Sequence, residues 1–554
     1  MNRRGHIVGR YLPILIAVCV YFFYQLPTWN IFAGLLDEGY FTYAESLIGR
    51  GLVPYRDFFM TTMPGSYYVV AWLASVFGGQ YMLAGRVLGM LSAVATLFVC
   101  HATFRFSKGW QLLYLACLSI FLAVPARTFS YNDAILLALL AMHITLTGVE
   151  RKKALLVGVA GCVAALSILC KQSIGVLLVP ALLLGITLTG GKRRMILSSI
   201  LAFVGGLSAV LLPAALYYQF VGALDVLVYH TVYFAGQVKS HSSSFLLHRI
   251  AVVPVAVLAL YYFWHTRIRT KLFLVTASAL AAAGYIMSNP RRIGRFATYL
   301  PDSTFYVQTI GFLVPIVAFS LALGKGGPVA RRVTFAALVY LVIFLGIGAS
   351  GYSTGAVVAA VPVGLPLVLY GTMAVQRFSF SLQTIGALVL ISFTALYAFN
   401  PLHLPEAMFG ANPVSRYTAT LPVDEARGIR FTPTAASELK STIKIIQEQT
   451  QPHEQIFCFP YCPGLYVLAN RQGGSYYSLF YFETFMAKDQ NTVIKDLQQN
   501  HVRLIELQKT GELEPRDGLE RDRLSTLYRY LITAYPKPVF ENRNFVVRVK
   551  ALHE

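Results

Sequence analysis

The chain has 554 residues, of which 56% are hydrophobic and 13% are charged, and its formal net charge is +21. Soluble proteins carry about one quarter charged residues, so this composition excludes an ordinary soluble enzyme and indicates an integral membrane protein. Basic cytoplasmic loops and anionic lipid account for much of the positive charge, and no nucleic-acid partner is needed to explain it.

Apolar runs close to the roughly 20 residues that a helix needs to cross a bilayer recur along the first 399 positions. None alternates in the manner of a barrel strand, so we predict helices. About thirteen spans are expected. They lie near 11–33, 82–104, 112–125, 134–149, 154–170, 174–189, 195–218, 247–264, 272–288, 306–323, 333–348, 355–375 and 382–399.

Every second loop between these spans is rich in Lys and Arg, beginning with Arg3, Arg4 and Arg10 and continuing with Arg105 and Lys108. Short basic loops stay in the cytoplasm, which predicts a cytoplasmic N-terminus. The first run is longer than a signal-peptide core and lacks a clear cleavage site, so we interpret it as an uncleaved anchor. An odd number of spans then puts the chain after position 399 outside the cytoplasm.

The first external loop, 34–80, begins with LLDEGYFTYAESLIGRG, which places Asp37 and Glu38 at the membrane edge. One apolar face at helical spacing predicts an interfacial helix, and the apolar segment after Pro64 predicts a second one. Arg56 and Asp57 lie between the two. Helix capping would explain Asp37 alone, whereas a cluster of charges beside hydrocarbon indicates function.

Residues 400–554 are more polar and have shorter apolar runs. We predict an amphipathic helix at 434–450, a strand at EQIFCFPY, a helix at NTVIKDLQQN and a strand at VRLIEL. The stretch RDRLSTLYRYLITAY predicts a further helix before a hairpin at 538–549. The pattern favours a small extracytoplasmic α/β domain that follows a transmembrane domain at 1–399.

Candidate metal ligands occur in two places. His230, His241 and His248 share one external loop, but their spacing matches no metal signature, so we predict no zinc site there. Cys458 and Cys462 are four positions apart in the exported segment. A local disulfide is one alternative for them, although pairing depends on geometry that spacing does not reveal.

A resemblance to a known family covers roughly the first 190 residues. DEGYFTYAESLIGRGLVPYRDF, followed by MPGSYY, FGG and AGRVLGMLSAVATLF, resembles the beginning of the GT-C glycosyltransferases that use polyprenyl-phosphate sugars. The bacterial protein O-mannosyltransferase group and the lipid A aminoarabinose transferases are the relatives concerned. The likeness continues in SYNDAILLALL and LCKQSIGVLLVP, and the later spans match only in layout.

This resemblance implies a polytopic α-helical GT-C fold in the bacterial cytoplasmic (inner) membrane, with Asp37 at the catalytic centre. The acidic residue that such proteins carry in the second external loop corresponds to Asp133. The sequence departs from the family at Thr62-Met63-Pro64, where many relatives have Lys-Pro-Pro. The lysine that would meet the lipid phosphate is therefore absent, and its role passes to another cation or is unfilled.

The predicted reaction is inverting transfer of a hexosyl or pentosyl group from a polyprenyl-phosphate carrier to an extracytoplasmic glycolipid, glycan or protein. Phosphate is a good leaving group, so a single positioned base suffices. Asp37 is the predicted base, and Asp133 is a second catalytic residue that holds the acceptor or a metal. Glu38 is a third candidate, although a helical neighbour points about 100° away from Asp37. Arg86, inside a span, is expected to have a buried partner.

The departing phosphate should meet fixed cations at the outer face. The external loop NPRRIGRFATYLPDSTF contains Arg291, Arg292 and Arg295, against the positive-inside trend. Arg56 and Lys171 are similarly placed. These five residues are the candidates for donor-phosphate binding, with general lipid-headgroup binding as the alternative.

Two other function classes compete. A transporter or lipid flippase should have charges near the bilayer midplane and halves related by a repeat, whereas the acidic residues here cluster at one face. A surface-glycan polymerase or ligase would share the lipid-linked donor and differ in its acceptor. The sequence leaves open whether a divalent metal is required.

Overall fold

The computed structural model of the protein describes residues 3–32, 34–123, 130–189, 191–234, 328–348, 362–367, 414–480, 485–509 and 523–550. Long apolar helices occupy the part before position 350, and a mixed sheet with helices follows position 414. The predicted spans near 247–264, 272–288, 306–323 and 382–399 lie outside the described residues. The number of thirteen spans therefore stays a prediction.

Eleven α-helices are described in the first part. They are α1 Arg3–Gln25, α2 Asp37–Gly49, α3 Gly65–Val76, α4 Tyr81–Thr103, α5 Lys108–Leu122, α6 Ser130–Glu150, α7 Ala154–Cys170, α8 Gln172–Thr189, α9 Arg193–Phe220, α10 Leu224–Val228 and α11 Pro328–Gly348. Apart from α2, α3 and α10 they match predicted spans to within about five residues, except that the first begins eight residues earlier and ends at Gln25. A π-helical turn, Tyr229–Phe234, follows α10.

Four helices in the described part are long and apolar enough to cross a membrane: α4, α6 from Tyr131, α8 and α9. Large apolar side chains such as Phe23, Leu155 and Phe220 face outward, as expected of a surface solvated by lipid rather than water. These observations support a membrane protein built of α-helices.

Small residues let α7 and α9 approach closely. A Cβ atom on Gly161 would clash with the backbone oxygen of Phe203, and one on Gly206 would clash with that of Gly158. Close backbone approach through small residues is the usual way in which membrane helices gain packing energy, because lipid removes the hydrophobic drive between them. This pair anchors one side of the helical core.

The helix α2 differs from its prediction as an interfacial helix. Residues around its circumference are buried, including Glu38, Thr42 and Glu45, because the segment after position 460 covers it. α3 has the expected apolar outer face, with Val69, Trp72 and Val76 exposed. Local periodicity could not reveal the cover over α2, since that cover comes from the other end of the chain.

The described C-terminal part contains five strands and four α-helices. They are α12 Pro433–Gln449, β1 Gln455–Phe459, α13 Gly464–Leu468, β2 Gln472–Gly473, α14 Gln490–Gln499, β3 Leu504–Gln508, α15 Ser525–Ala534, β4 Lys537–Glu541 and β5 Phe545–Val549. The sheet order is β2-β1-β3-β5-β4, with β1 parallel to β2 and β3, and β5 antiparallel to β3 and β4.

Local chemistry explains several of these elements. The Thr432 hydroxyl accepts a hydrogen bond from the amide of Ala435, and Pro433 follows at the first helical position, so α12 begins with two standard start signals. The central strands β1 and β3 have almost continuous apolar runs, as expected of parallel strands covered on both faces. The helix and strand predictions at 434–450, EQIFCFPY and VRLIEL correspond to α12, β1 and β3.

One hydrophobic core joins the two ends of the chain. Tyr43 and Tyr55 of the first external loop are buried together with Ile443 of α12 and Tyr466 of α13. A separate core fills the helical bundle, and a third lies against the other face of the sheet. The first external loop is therefore held by the C-terminal segment as much as by the membrane helices.

Candidate functional site

Two adjacent carboxylates at the start of α2 lie in opposite environments. Asp37 is exposed, whereas Glu38 is 1% exposed. The helix cap is Leu36, and no side chain caps the helix through a hydrogen bond, so capping does not account for Asp37. Asp37 lies in the first turn of the helix.

Glu38 is bound by the arginine that sequence placed inside a span. The Arg86 guanidinium donates to Oε1 of Glu38 at 2.6 Å, and Arg86 is fully buried. Arg86 also donates to the backbone oxygen of Trp29. The prediction of a buried partner for Arg86 is confirmed, and this contact ties α4 to the start of α2.

Asp133 lies in the first turn of α6 and is 7% exposed. The Ser92 hydroxyl of α4 donates to its Oδ1 at 2.7 Å. Tyr131, two residues earlier, lies within electrostatic reach of Asp37. The helix α4 thus contacts the first turns of both α2 and α6, through Arg86 and Ser92 respectively.

Lys171 follows α7, and the next residue contacts the segment around Thr62-Met63-Pro64, where many relatives have Lys-Pro-Pro. The side chain of its neighbour Gln172 donates to the backbone oxygen of Thr61 at 2.9 Å and accepts from the amide of Met63 at 3.2 Å. A Cβ on Gly65 would lie 2.6 Å from the backbone oxygen of Leu169. Gln172 was not predicted as a site residue, because an isolated Gln in the sequence does not indicate which groups its side chain contacts.

Arg56 forms an ion pair with the adjacent residue Asp57. Its guanidinium makes two hydrogen bonds of 2.8 Å to the carboxylate of Asp57, which also accepts from the amide of Val53 at 2.7 Å. These bonds lower the pKa of Asp57. The Arg56 side chain is 47% exposed, so it remains open on one side. Arg291, Arg292 and Arg295 lie outside the described residues.

Tyr55 adopts a backbone conformation that is unusual for a side chain of its size, with φ of 68°. Its hydroxyl donates to the backbone oxygen of Thr62 at 2.7 Å, and its own backbone oxygen accepts from the hydroxyl of Tyr476 at 2.7 Å. Both bonds fix the turn that carries Arg56. Such strain is maintained only where surrounding contacts determine the conformation.

Further contacts join the first external loop to the C-terminal segment. The amide of Gly464 donates to the backbone oxygen of Leu35 at 3.1 Å, and the amide of Gly473 donates to the Tyr43 hydroxyl at 2.7 Å. The rings of Tyr43 and Tyr466 stack with centroids 4.6 Å apart. These contacts flank Asp37 on the sequence and restrict the first turn of α2.

A cleft of about 220 Å³ opens between the first external loop and the sheet. Polar side chains dominate its lining: Asp57, Gln455, Gln472, Ser475, Ser478, Asp496 and Asn500, together with the rings of Tyr43 and Tyr476. Carboxylate, amide and hydroxyl groups beside aromatic rings suit a ligand rich in hydroxyl groups. The cleft was not predicted, because its two walls come from distant parts of the chain.

Within the described part of the chain, one group of metal-ligating side chains is close enough to share an ion, and it consists of Cys458, Cys462 and Glu506. Asp37 and Asp133 do not belong to it. Both cysteines are free thiols. His230 packs against aromatic rings, while His241 and His248 lie outside the described residues.

Comparisons with known proteins agree on the fold. No family model matches the chain, and no curated protein matches it in sequence. An oligosaccharyltransferase from Archaeoglobus fulgidus, solved with Zn and sulfate, has a TM-score of 0.50 at 13% identity over 94% of this chain and 71% of its own. The likeness supports a GT-C fold, as the sequence resemblance implied.

Two further structures are similar at lower scores. AglB from Archaeoglobus fulgidus, in complex with an inhibitory peptide and a dolichol-phosphate, has a TM-score of 0.48 at 13% identity, over 95% of this chain and 72% of its own. ArnT from Cupriavidus metallidurans, bound to undecaprenyl phosphate, has a TM-score of 0.39 at 14% identity, over 100% and 99%.

Proposed function

We propose that the protein is an inverting glycosyltransferase that moves a sugar from a polyprenyl-phosphate carrier to an acceptor on the outer face of the cytoplasmic membrane. The observation that carries the proposal is the division between neighbouring carboxylates. Asp37 is exposed at a helix N-terminus, while Glu38 is buried against Arg86. The GT-C fold supports the same class of reaction.

In the proposed step, Asp37 accepts the proton of an acceptor hydroxyl while that oxygen attacks the anomeric carbon. The bond from this carbon to the phosphate oxygen breaks, and the lipid phosphate leaves with the bonding electrons. Attack from the face opposite the phosphate inverts the configuration. A general base must be ionised to accept this proton.

The other charged residues have supporting roles in the proposal. Lys171 binds the donor phosphate beside Thr61 and Met63, and Arg56 approaches it from the turn of the first external loop. Arg291, Arg292 and Arg295 remain predicted phosphate ligands. Asp133, oriented by Ser92, positions the acceptor, and Glu38 acts through Arg86 to position α2.

The proposal assigns separate roles to the two predicted domains. Residues 1–399 form the transmembrane catalytic part, with a cytoplasmic N-terminus and the first external loop 34–80 at the outer face. Residues 400–554 form an extracytoplasmic α/β domain that completes the acceptor side. The polar cleft between the loop and the sheet is the proposed route of a hydroxyl-rich acceptor, because its carboxylate, amide and hydroxyl groups can bind sugar hydroxyls and the half-buried Tyr476 borders it.

The test is transfer of label from a panel of radiolabelled polyprenyl-phosphate sugars into membrane extracts. The intact protein should transfer label, and Asp37→Asn at matched expression should lose about 100-fold to 10,000-fold of the rate. Asp424→Asn, which changes an exposed carboxylate of a short 3-10 helix, is the matched control and should transfer normally.

Two outcomes would overturn the proposal. If no donor in the panel is consumed, the transferase assignment fails. If Asp37→Asn transfers as fast as the parent, the base is another residue. In the supporting case, the labelled product identifies the acceptor, and the configuration at its anomeric carbon tests inversion.

A further inference from the structure

Three ionisable side chains meet inside the C-terminal sheet, and none of them is a proposed catalytic residue. Cys458 on β1 pairs with Glu506 on β3 in the sheet register. Cys462, four residues later in the chain, has its side chain beside these two. Their ligand atoms all lie within 4.8 Å of one another. The exposed fractions are 0% for Cys458, 1% for Cys462 and 0% for Glu506.

The carboxyl group of Glu506 is incompletely satisfied. The Cys462 thiol donates to its Oε2 at 2.7 Å, whereas its Oε1 has no hydrogen-bond partner among the described residues. Burial raises the pKa of Glu506 to about 8 and raises the pKa values of both thiols. A buried polar atom without a hydrogen-bond partner lowers the stability of the fold. In native proteins such an atom usually has a structural or functional role.

We propose that Cys458, Cys462 and Glu506 bind one thiophilic divalent cation of the zinc class. Zinc binds thiolates at about 2.3 Å and carboxylate oxygens at about 2.0–2.2 Å, so tetrahedral ligands lie roughly 3.4–3.8 Å apart, within the spread of these three atoms. Binding forms two metal–sulfur bonds and one metal–oxygen bond and releases the protons of both thiols and of the Glu506 carboxyl group to solvent. Tyr466, whose hydroxyl accepts from the Cys458 amide at 2.8 Å, borders the site.

A disulfide is the competing state of the two cysteines, and the carboxylate argues against it. Oxidation to a disulfide would remove the thiol hydrogen that Cys462 donates to Glu506. It would leave a fully buried carboxyl group with neither of its oxygens bonded within this cluster. A cation satisfies all three side chains together, which accounts for the position of Glu506 opposite Cys458.

The site would also support the first external loop, and this consequence rests on the proposed function. Cys462 is followed by Pro463 and Gly464, and the Gly464 amide donates to the backbone oxygen of Leu35 at 3.1 Å. A Cβ on Gly39 would lie 2.5 Å from the Gly464 nitrogen. A cation at Cys462 therefore restrains the segment that packs on both sides of Asp37.

The test is the metal content of the full-length protein, produced with added zinc and purified in detergent. The parent should retain stoichiometric zinc through chelator dialysis, because the ligands are buried, and should release it when unfolded in the presence of a thiol reagent. Cys462→Ser and Glu506→Gln should lose zinc. Cys162→Ser, which changes a half-buried cysteine of α7, should retain it.

A second measurement keeps the proposal falsifiable if the variants fail to fold. Cobalt substituted into the parent should give the intense near-ultraviolet absorption of cobalt–thiolate bonds. Substoichiometric zinc in folded parent protein, with thiols that remain free or an intact mass that shows a disulfide, would overturn the proposal. Asp37→Asn should still hold zinc, so the metal result is independent of the transfer assay.

Discussion

The guanidinium of Arg86 lies 2.6 Å from the carboxylate of Glu38, and neither side chain is more than 1% exposed. This pair joins the second predicted span to the first turn of the external helix α2. Glu38 is buried in this contact, whereas its neighbour Asp37 is exposed. The two adjacent carboxylates therefore lie in different environments, and the proposed function assigns the role of base to Asp37.

Removal of Arg86 alone should strongly destabilise the protein. Arg86→Met leaves the Glu38 carboxylate buried without its cation, and a broken buried pair typically costs about 3–5 kcal/mol. The double variant Arg86→Met with Glu38→Leu should recover part of this loss. Thermal unfolding in detergent measures both.

An exposed pair provides the control for this prediction. Arg427 and Asp424 are 2.6 Å apart, but their side chains are 70% and 85% exposed. Arg427→Met should therefore change stability by less than about 1 kcal/mol. If the double variant at Arg86 and Glu38 is no more stable than Arg86→Met, the orphaned charge is not the cause of the loss.

The contact between Gly39 and Gly464 should tolerate no side chain. Gly39→Ala places a Cβ 2.5 Å from the Gly464 nitrogen and 2.7 Å from its Cα, and overpacking of this kind costs about 1–3 kcal/mol. We expect a lower unfolding temperature and slower transfer, because the first turn of α2 must shift. Gly109→Ala, in α5 with open space around it, should be neutral or stabilising. Equal effects of the two changes would refute the contact.

Lys171 should act on the donor rather than on stability. Lys171→Met removes a cation beside the Thr61–Met63 backbone and should raise the KM for the lipid-phosphate sugar about 10-fold to 100-fold, as expected for a charged hydrogen bond. Lys171→Arg should restore much of the affinity. Lys108→Met, an exposed lysine at the start of α5, is the control. Unchanged KM in Lys171→Met would remove this residue from the phosphate site.

His230 should make the protein sensitive to acid. Burial lowers its pKa to about 4 from the model-peptide value of 6.5, and its ring lies 4.7 Å from that of Phe59. Below about pH 6.5 this histidine is protonated in the unfolded chain but stays neutral in the folded chain. The free energy of unfolding is therefore highest above this pH and decreases as the pH falls towards 4.

Replacement of His230 should remove this pH dependence. His230→Phe fits the same aromatic cluster and should flatten the slope of the unfolding free energy between about pH 4 and 6.5, as measured by denaturant titration in detergent. His453→Phe, at an exposed histidine, should retain the parent's slope. A parental slope in His230→Phe would show that another group controls the acid response.

Several features followed from sequence because they depend on local pattern. The apolar runs that became α4 and α9 were recognised by length and composition, since a bilayer demands both. Asp37 stood out because a charge beside hydrocarbon is costly. Arg86 was expected to have a buried partner for the same reason. These arguments need a residue and its immediate surroundings, which the sequence contains.

Tertiary structure alone decided which partner each of these residues has. That Arg86 binds Glu38, that Gln172 holds the Thr61–Met63 segment and that α2 is covered by Gly464 all involve residues distant in sequence. The same holds for Cys458, Cys462 and Glu506, where the sequence left a disulfide as one alternative and the strand register placed a carboxylate beside Cys458. Composition and periodicity fix which segments must leave water, but packing determines which side chains then meet.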